Sequence, residues 1–214
     1  MVLEVGTTGA IKPIETHYNG YRFRSRLEAR WAVFFDTLGI KYEYEPEGFE
    51  LGDGTWYLPD FWLPDDECWI EIKPSKLPDE EEMKKCSLLA FQRPVAMFLG
   101  TPAVPVISDD WHIISGAYCL MFGTVPARGD VPQHSILDPR PYCWMTRPDE
   151  TLILWPVPHW EPAPDGQGIF TMFFPDGANM GFYAPFATKS VDSPKLLAAY
   201  CAARSARFEH RETP

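Results

Sequence analysis

The chain has 214 residues, 45% of them hydrophobic, and a net charge of −11, enough for one large or two small domains with a real core. No apolar run approaches the ~18 residues of a membrane span, and no charged start leads into an apolar stretch, so neither a membrane segment nor a secretory leader is expected. The five cysteines are widely spaced without a CxxC pair, which argues against a zinc ribbon or a disulfide framework and for a reducing, cytoplasmic setting.

Residues 1–16 read as a lead-in. Residues 17–22 predict a hairpin with Asn19-Gly20 as a type I′ turn. Next comes a helix with Leu27, Trp31, Phe34, Phe35 and Leu38 at helical spacing, Ser25 as N-cap and Gly39 as its end. Glu28 lies on its first turn and has two readings: the Glu of a Ser25-x-x-Glu28 capping box, or a carboxylate aimed at the following sheet. Residues 41–45 alternate like a strand. Two short strands, 49–51 and 56–58, flank a Gly52-Asp53-Gly54 turn.

The stretch YLPDFWLPDDECWIEIKP carries the most chemistry. Runs 61–63 and 68–72 are rich in aromatic and β-branched residues and flank a polar turn led by Pro64. A four-residue loop sets Leu63 opposite Cys68, Trp62 opposite Trp69, Phe61 opposite Ile70 and Asp60 opposite Glu71. Period-two alternation then puts Asp60, Glu71 and Lys73 on one face, and Phe61, Ile70 and Ile72 on the other, core-facing side; a bulge would slip this register by one. Two carboxylates ~5 Å apart at an effective dielectric of ~20 repel by about 3 kcal/mol. A solvated acidic hairpin avoids that cost. A divalent cation held by hard oxygen ligands offsets it, and also accounts for a lysine on the same face. Such a set suits metal-dependent hydrolysis of a phosphodiester.

Downstream, residues 78–91 predict a helix supported by Glu80/Lys84 and Glu81/Lys85 pairs, and the apolar run 95–99 a buried strand. The second half is dense in Pro and Gly between residues 100 and 164. Runs 111–114, 118–122 and 152–155 suggest strands, 169–174 and 180–183 a hairpin, and 194–209 a terminal helix. The five histidines show no metal-ligand spacing, and no GxSxG, Walker or GxGxxG loop is present.

RSRLEARWAVFF followed by LPDFWLP and WIEIKP resembles the PD-(D/E)xK, or restriction-endonuclease-like, nuclease superfamily, and is similar to small phage- and mobile-element-encoded members. The resemblance covers residues 18–100, about half the chain. Beyond it, the short apolar runs read as a β-rich accessory region at 106–214 that ends in a helix; the resemblance itself implies an α/β (α+β) fold with a core of helix, three-stranded meander, helix and strand over residues 17–105. It also implies that the matching residues, Glu28, Asp60, Glu71 and Lys73, are catalytic. Asp60, Glu71 and the Ile72 carbonyl, joined by Glu28, would hold Mg²⁺ or Mn²⁺, and Lys73 would orient water or offset charge. The expected activity is DNA cleavage, as an endonuclease or nickase. The Gln-x-x-x-Tyr element of exonuclease-type relatives is missing, since Ala96 stands four residues after Gln92.

The acidic total counts against phosphate binding, but basic clusters exist. Arg22, Arg24, Arg26 and Arg30 surround the start of the first helix. Arg204, Arg207 and Arg211 recur near the C-terminus. Each cluster reads as a phosphate-backbone contact or as a solvated helix face. Trp62 and Trp69 read as core or as the border of a substrate groove. The alternative to an enzyme is a catalytically weak nuclease fold that binds DNA or a protein partner. A further alternative is a subunit of a larger mobile-element assembly whose partner supplies specificity. A homodimer is expected only if the product is a double-strand break.

Overall fold

A computed structural model describes residues 13–52, 54–74, 78–107, 113–122, 140–146, 152–156 and 192–208. In chain order the elements are β1 (Thr16–Tyr18), β2 (Tyr21–Phe23), α1 (Arg26–Leu38), β3 (Glu43–Tyr44), β4 (Phe49–Glu50), β5 (Trp56–Tyr57), β6 (Phe61–Leu63), β7 (Cys68–Lys73), α2 (Glu80–Ala90), β8 (Val95–Leu99), β9 (Val106–Ile107), β10 (Ile113–Ser115), β11 (Tyr118–Phe122), β12 (Arg140–Thr146), β13 (Leu152–Pro156) and α3 (Pro194–Ser205). The fold is mixed α and β. Its centre is a seven-stranded sheet in the order β13-β12-β11-β8-β7-β6-β3. Each neighbouring pair is antiparallel except β7 and β8, which run parallel with α2 as the connection.

Local chemistry explains where these elements begin and end. At the β1–β2 turn, Asn19 and Gly20 take positive φ (46° and 81°), as a type I′ hairpin requires. Ser25 is extended and its Oγ accepts the Glu28 N–H at 3.2 Å, which starts α1. Gly39 (φ 73°) ends the helix in the left-handed region, and the N–H of Ile40 returns to the Phe35 carbonyl at 2.9 Å. α2 begins with a full capping box between Asp79 and Glu82, and its Glu81–Lys85 pair closes at 2.6 Å. The strand expected over 41–45 is paired only at Glu43 and Tyr44, because Glu45 turns out of it with φ 46°.

Alternation along the strands divides the core into two layers. Phe61, Leu63, Cys68, Ile70, Ile72, Ala96 and Phe98 face α1 and α3. Trp69, Val95, Met97 and Leu99 face α2, together with Tyr57 from the small β4–β5 hairpin. β7 and β8 are buried on both sides, as expected for a parallel pair. Trp31 pins α1 to the end of β8 by donating Nε1–H to the Gly100 carbonyl at 3.0 Å. That bond lies one turn from Glu28 and fixes the helix against the sheet end where the acids gather.

The sheet continues past residue 105. β11 pairs with β8 along five residues, and β12 and β13 extend the same sheet. α3 packs on α1, with Tyr200 and Phe34 ring centroids 4.8 Å apart. These parts of the second half therefore share the core of the first. The terminal helix stops at Ser205, short of the expected 209. The hairpin expected over 169–183 and most of the lead-in lie outside the described residues.

Candidate active site

The β6–β7 hairpin has the register that the loop length predicts: Leu63 opposite Cys68, Trp62 opposite Trp69 and Phe61 opposite Ile70. Asp60 stands one residue before β6, at the point where pairing ends. There the Ile72 N–H would lose its partner, and Asp60 Oδ2 accepts it at 2.7 Å. The aspartate is thus bonded to the strand that carries Glu71 and Lys73. Asp60 is 4% exposed and Glu71 6%.

Glu71 is held on both oxygens. Oε1 pairs with the Lys73 ammonium at 2.8 Å, and Lys73 also reaches Glu82 Oε1 on α2 at 3.1 Å. Oε2 accepts the Tyr57 hydroxyl at 2.9 Å, and that same hydroxyl lies 3.2 Å from Cys86 Sγ. Tyr57 is buried and comes from β5, so the β4–β5 hairpin acts as a clamp on Glu71.

A second group joins from the α1 side. Glu28 Oε1 accepts from Ser25 Oγ at 2.5 Å, and its Oε2 accepts from the Tyr44 hydroxyl at 2.6 Å and the Arg24 N–H at 3.1 Å. The guanidinium of Arg24 donates to Asp60 Oδ1 at 3.0 Å and pairs with Glu45 Oε1 at 2.5 Å. Glu45 is tied in by its backbone, whose N–H donates to the Asp60 carbonyl at 2.9 Å. α1 covers the Phe61/Ile70/Ile72 side of the sheet, so Glu28 does not face the Glu71 and Lys73 side directly as the sequence reading expected. It meets them at the sheet end, through Arg24 and Asp60. Ser25 caps the Glu28 N–H, and the Glu28 carboxylate lies close enough for its charge to act on Asp60.

The electrostatics follow from burial and convergence. Burial pushes the Asp60 carboxyl well above the usual aspartate range. The charges of Glu71 and Glu28 add to this, and the Ile72 N–H and Arg24 only partly offset it. Glu45 is raised as well, by burial first; Arg24 opposes the shift, while Glu28 and Glu71 add to it. Burial works against charge on Lys73, but Glu71 and Glu82 outweigh it and hold the ammonium above its ordinary value. Burial pushes the Cys86 thiol up to about 12.

The seven arginines named from the sequence do not act as one set, and Arg211 lies outside the described residues. Arg24 reaches the carboxylates as an internal counter-ion. Arg22 is exposed and pairs with Glu15. Arg26 and Arg30 are half-buried on α1, and Arg204 and Arg207 are exposed on and just beyond α3. Phe208 packs on Tyr18 at 6.2 Å, in the hairpin whose Asn19 bonds Asp36 near the end of α1. That places Arg207 near the end of α1 remote from Glu28. Trp69 is core, 3% exposed and packed on Trp62 at 4.8 Å and Phe49 at 4.9 Å. Tyr57, Tyr44, Glu45 and Glu82 were not singled out from the sequence. The alternation in KYEYE was the available signal for Tyr44 and Glu45; nothing local marks Tyr57.

Among the described residues, no group of three or more His, Cys, Asp or Glu side chains is spaced to hold a metal ion. The donor chemistry still suits a hard divalent cation: two buried carboxylates, Asp60 and Glu71, flank the backbone of Ile72. Arg24 and Lys73 supply the positive charge at these oxygens here. No helix among the described residues is long and apolar enough to cross a membrane. Compared with protein-family models, curated proteins and solved structures, the chain matches none.

Proposed function

We propose that this protein is a Mg²⁺- or Mn²⁺-dependent nuclease that hydrolyses DNA phosphodiester bonds, as an endonuclease or nickase. One observation carries the reading: Asp60 and Glu71, both buried, meet on one hairpin with Lys73 ion-paired to Glu71 at 2.8 Å. Buried like charges are costly, and a stable fold alone does not require them. The order of α1, the β3-β6-β7 meander, α2 and parallel β8 supports a restriction-endonuclease-like core.

In this reading Asp60 and Glu71, with the Ile72 carbonyl, hold the metal, and Glu28 supports Asp60 across Arg24. A bound metal supplies Lewis-acid polarisation of the phosphate and lowers the pKa of its water. Lys73, ion-paired to Glu71 at 2.8 Å, would place a positive charge beside the reacting phosphate or orient the attacking water. Tyr57 holds the Glu71 carboxylate in one orientation.

The test is cleavage of single-stranded, duplex and branched DNA with Mg²⁺, Mn²⁺ or EDTA. Asp60→Ala and Glu71→Ala should abolish metal-dependent cleavage, and Lys73→Ala should cripple turnover while Mn²⁺ still binds. Full activity of pure Asp60→Ala would sink the proposal. A second reading, a nuclease fold that binds DNA or a partner with little catalysis, is favoured by one fact: all four oxygens of Asp60 and Glu71 already have a donor within the protein. Metal-independent DNA binding without cleavage would select it.

A further inference from the structure

We propose that Arg24 is a resident counter-ion that occupies the acid group until a divalent cation displaces it. The inference rests on the metal reading above. It assigns to Arg24 a role in metal entry, in place of the phosphate contact that the sequence suggested.

Three features single out this side chain. Its backbone is fixed, because the Arg24 N–H is shared between Glu28 Oε2 and the Tyr44 hydroxyl. Its side chain is 56% exposed, whereas those of Asp60 and Glu45 are 5% and 21% exposed. The guanidinium therefore caps buried acids from the solvent side and can swing away by rotamer changes alone, leaving the core closed. Finally, its departure frees one specific ligand atom. Asp60 Oδ2 stays on the Ile72 N–H, and only Oδ1 is released. Lys73 does not share these properties: its side chain is 22% exposed and bridges Glu71 to Glu82.

Without a cation, Arg24 is needed. Glu45 and Asp60 would otherwise sit together with Glu28 and Glu71 nearby, and Lys73 is already paired to Glu71. With a cation bound, Arg24 and the metal would compete for the same oxygen, so the apparent metal affinity is lowered by the fraction of time the guanidinium is docked.

Calorimetric titration of the full chain with Mn²⁺, comparing Arg24→Gln with the unaltered protein, tests this. The variant should bind Mn²⁺ about 1.5- to fivefold tighter, the range set by breaking a partly exposed ion pair. In EDTA it should melt at a lower temperature than the unaltered protein, and Mn²⁺ should raise its Tm by more. Arg24→Lys keeps the charge but cannot fork across Asp60 and Glu45, so it should shift affinity the same way by less; it serves as the test if Arg24→Gln does not fold. Equal or weaker Mn²⁺ binding in the variant overturns the displacement and leaves the metal reading standing. No Mn²⁺ binding by either protein overturns both.

Discussion

Replacing Tyr57 with Phe removes one oxygen from a closed, buried contact. The hydroxyl donates to Glu71 Oε2 at 2.9 Å and touches Cys86 Sγ at 3.2 Å. A hydrogen bond to a charged group contributes about 1.5–3 kcal/mol. Glu71 keeps Lys73 on its other oxygen, so the carboxylate is not orphaned and the lower part of that range applies. The thiol is a weak partner and adds little. We therefore expect Tyr57→Phe to lose about 1.5–2 kcal/mol in urea unfolding with EDTA, and its Tm to fall by roughly 3–8 °C for a chain of this size. In a Glu71→Gln background the partner is neutral and the same change should cost only about 1 kcal/mol, leaving a coupling of about 0.5–1 kcal/mol. A loss below about 0.5 kcal/mol, or an equal loss in both backgrounds, would refute the view that Tyr57 clamps the Glu71 carboxylate.

The pH dependence of stability tests the acid group from another side. Burial, then Glu71 and Glu28, hold the Asp60 pKa above its unfolded value. Its contribution is therefore complete below about pH 3.9 and is lost as pH rises through the raised value. In EDTA the stability of Asp60→Asn relative to the unaltered chain should climb as pH rises above about 4; a flat difference from pH 4 to 8 would contradict the assignment. Gly116 (φ 92°) has no room for a methyl group, since a Cβ would lie 2.2 Å from the Val104 carbonyl oxygen and 2.5 Å from Pro105 Cα. Gly116→Ala should cost at least about 2 kcal/mol in denaturant unfolding, and less than about 1 would show that the turn before β11 yields. Tyr200→Ala should cost about 3–5 kcal/mol if α3 belongs to the same core as α1, and a loss under about 1 would show that it does not.

What the sequence made legible was local. A four-residue turn sets the β6–β7 register, Ser25 and Gly39 bound α1, and Asn19-Gly20 marks the first turn, because each depends on a few neighbouring residues. β12 is not marked in the sequence, and Pro141 in RPYCWMT argues against a central strand; the residue nevertheless pairs with Leu120 of β11. Trp69 was placed on the correct face, but alternation does not say what covers a face, and α2 covers this one. Tyr57 escaped notice for the same reason. Its partner lies 14 residues away on another strand, and only the folding of β4–β5 over the sheet brings the two together. Arg24 shows the limit most clearly: its charge was readable, but not the acids it would meet.

Five carboxylates, Glu28, Glu45, Asp60, Glu71 and Glu82, gather around two cations, Arg24 and Lys73. The group thus carries a formal negative excess, part of the overall −11. An acidic total is an argument against nucleic-acid binding when the charge is spread over the surface. Here part of it is concentrated and held at a partly desolvated point, where a divalent cation would reduce it most. On the proposed reading, the acidity of the chain and its affinity for phosphate are therefore not in opposition. The first would create the cation site, and the cation, with Lys73, would supply the positive field that a phosphodiester needs.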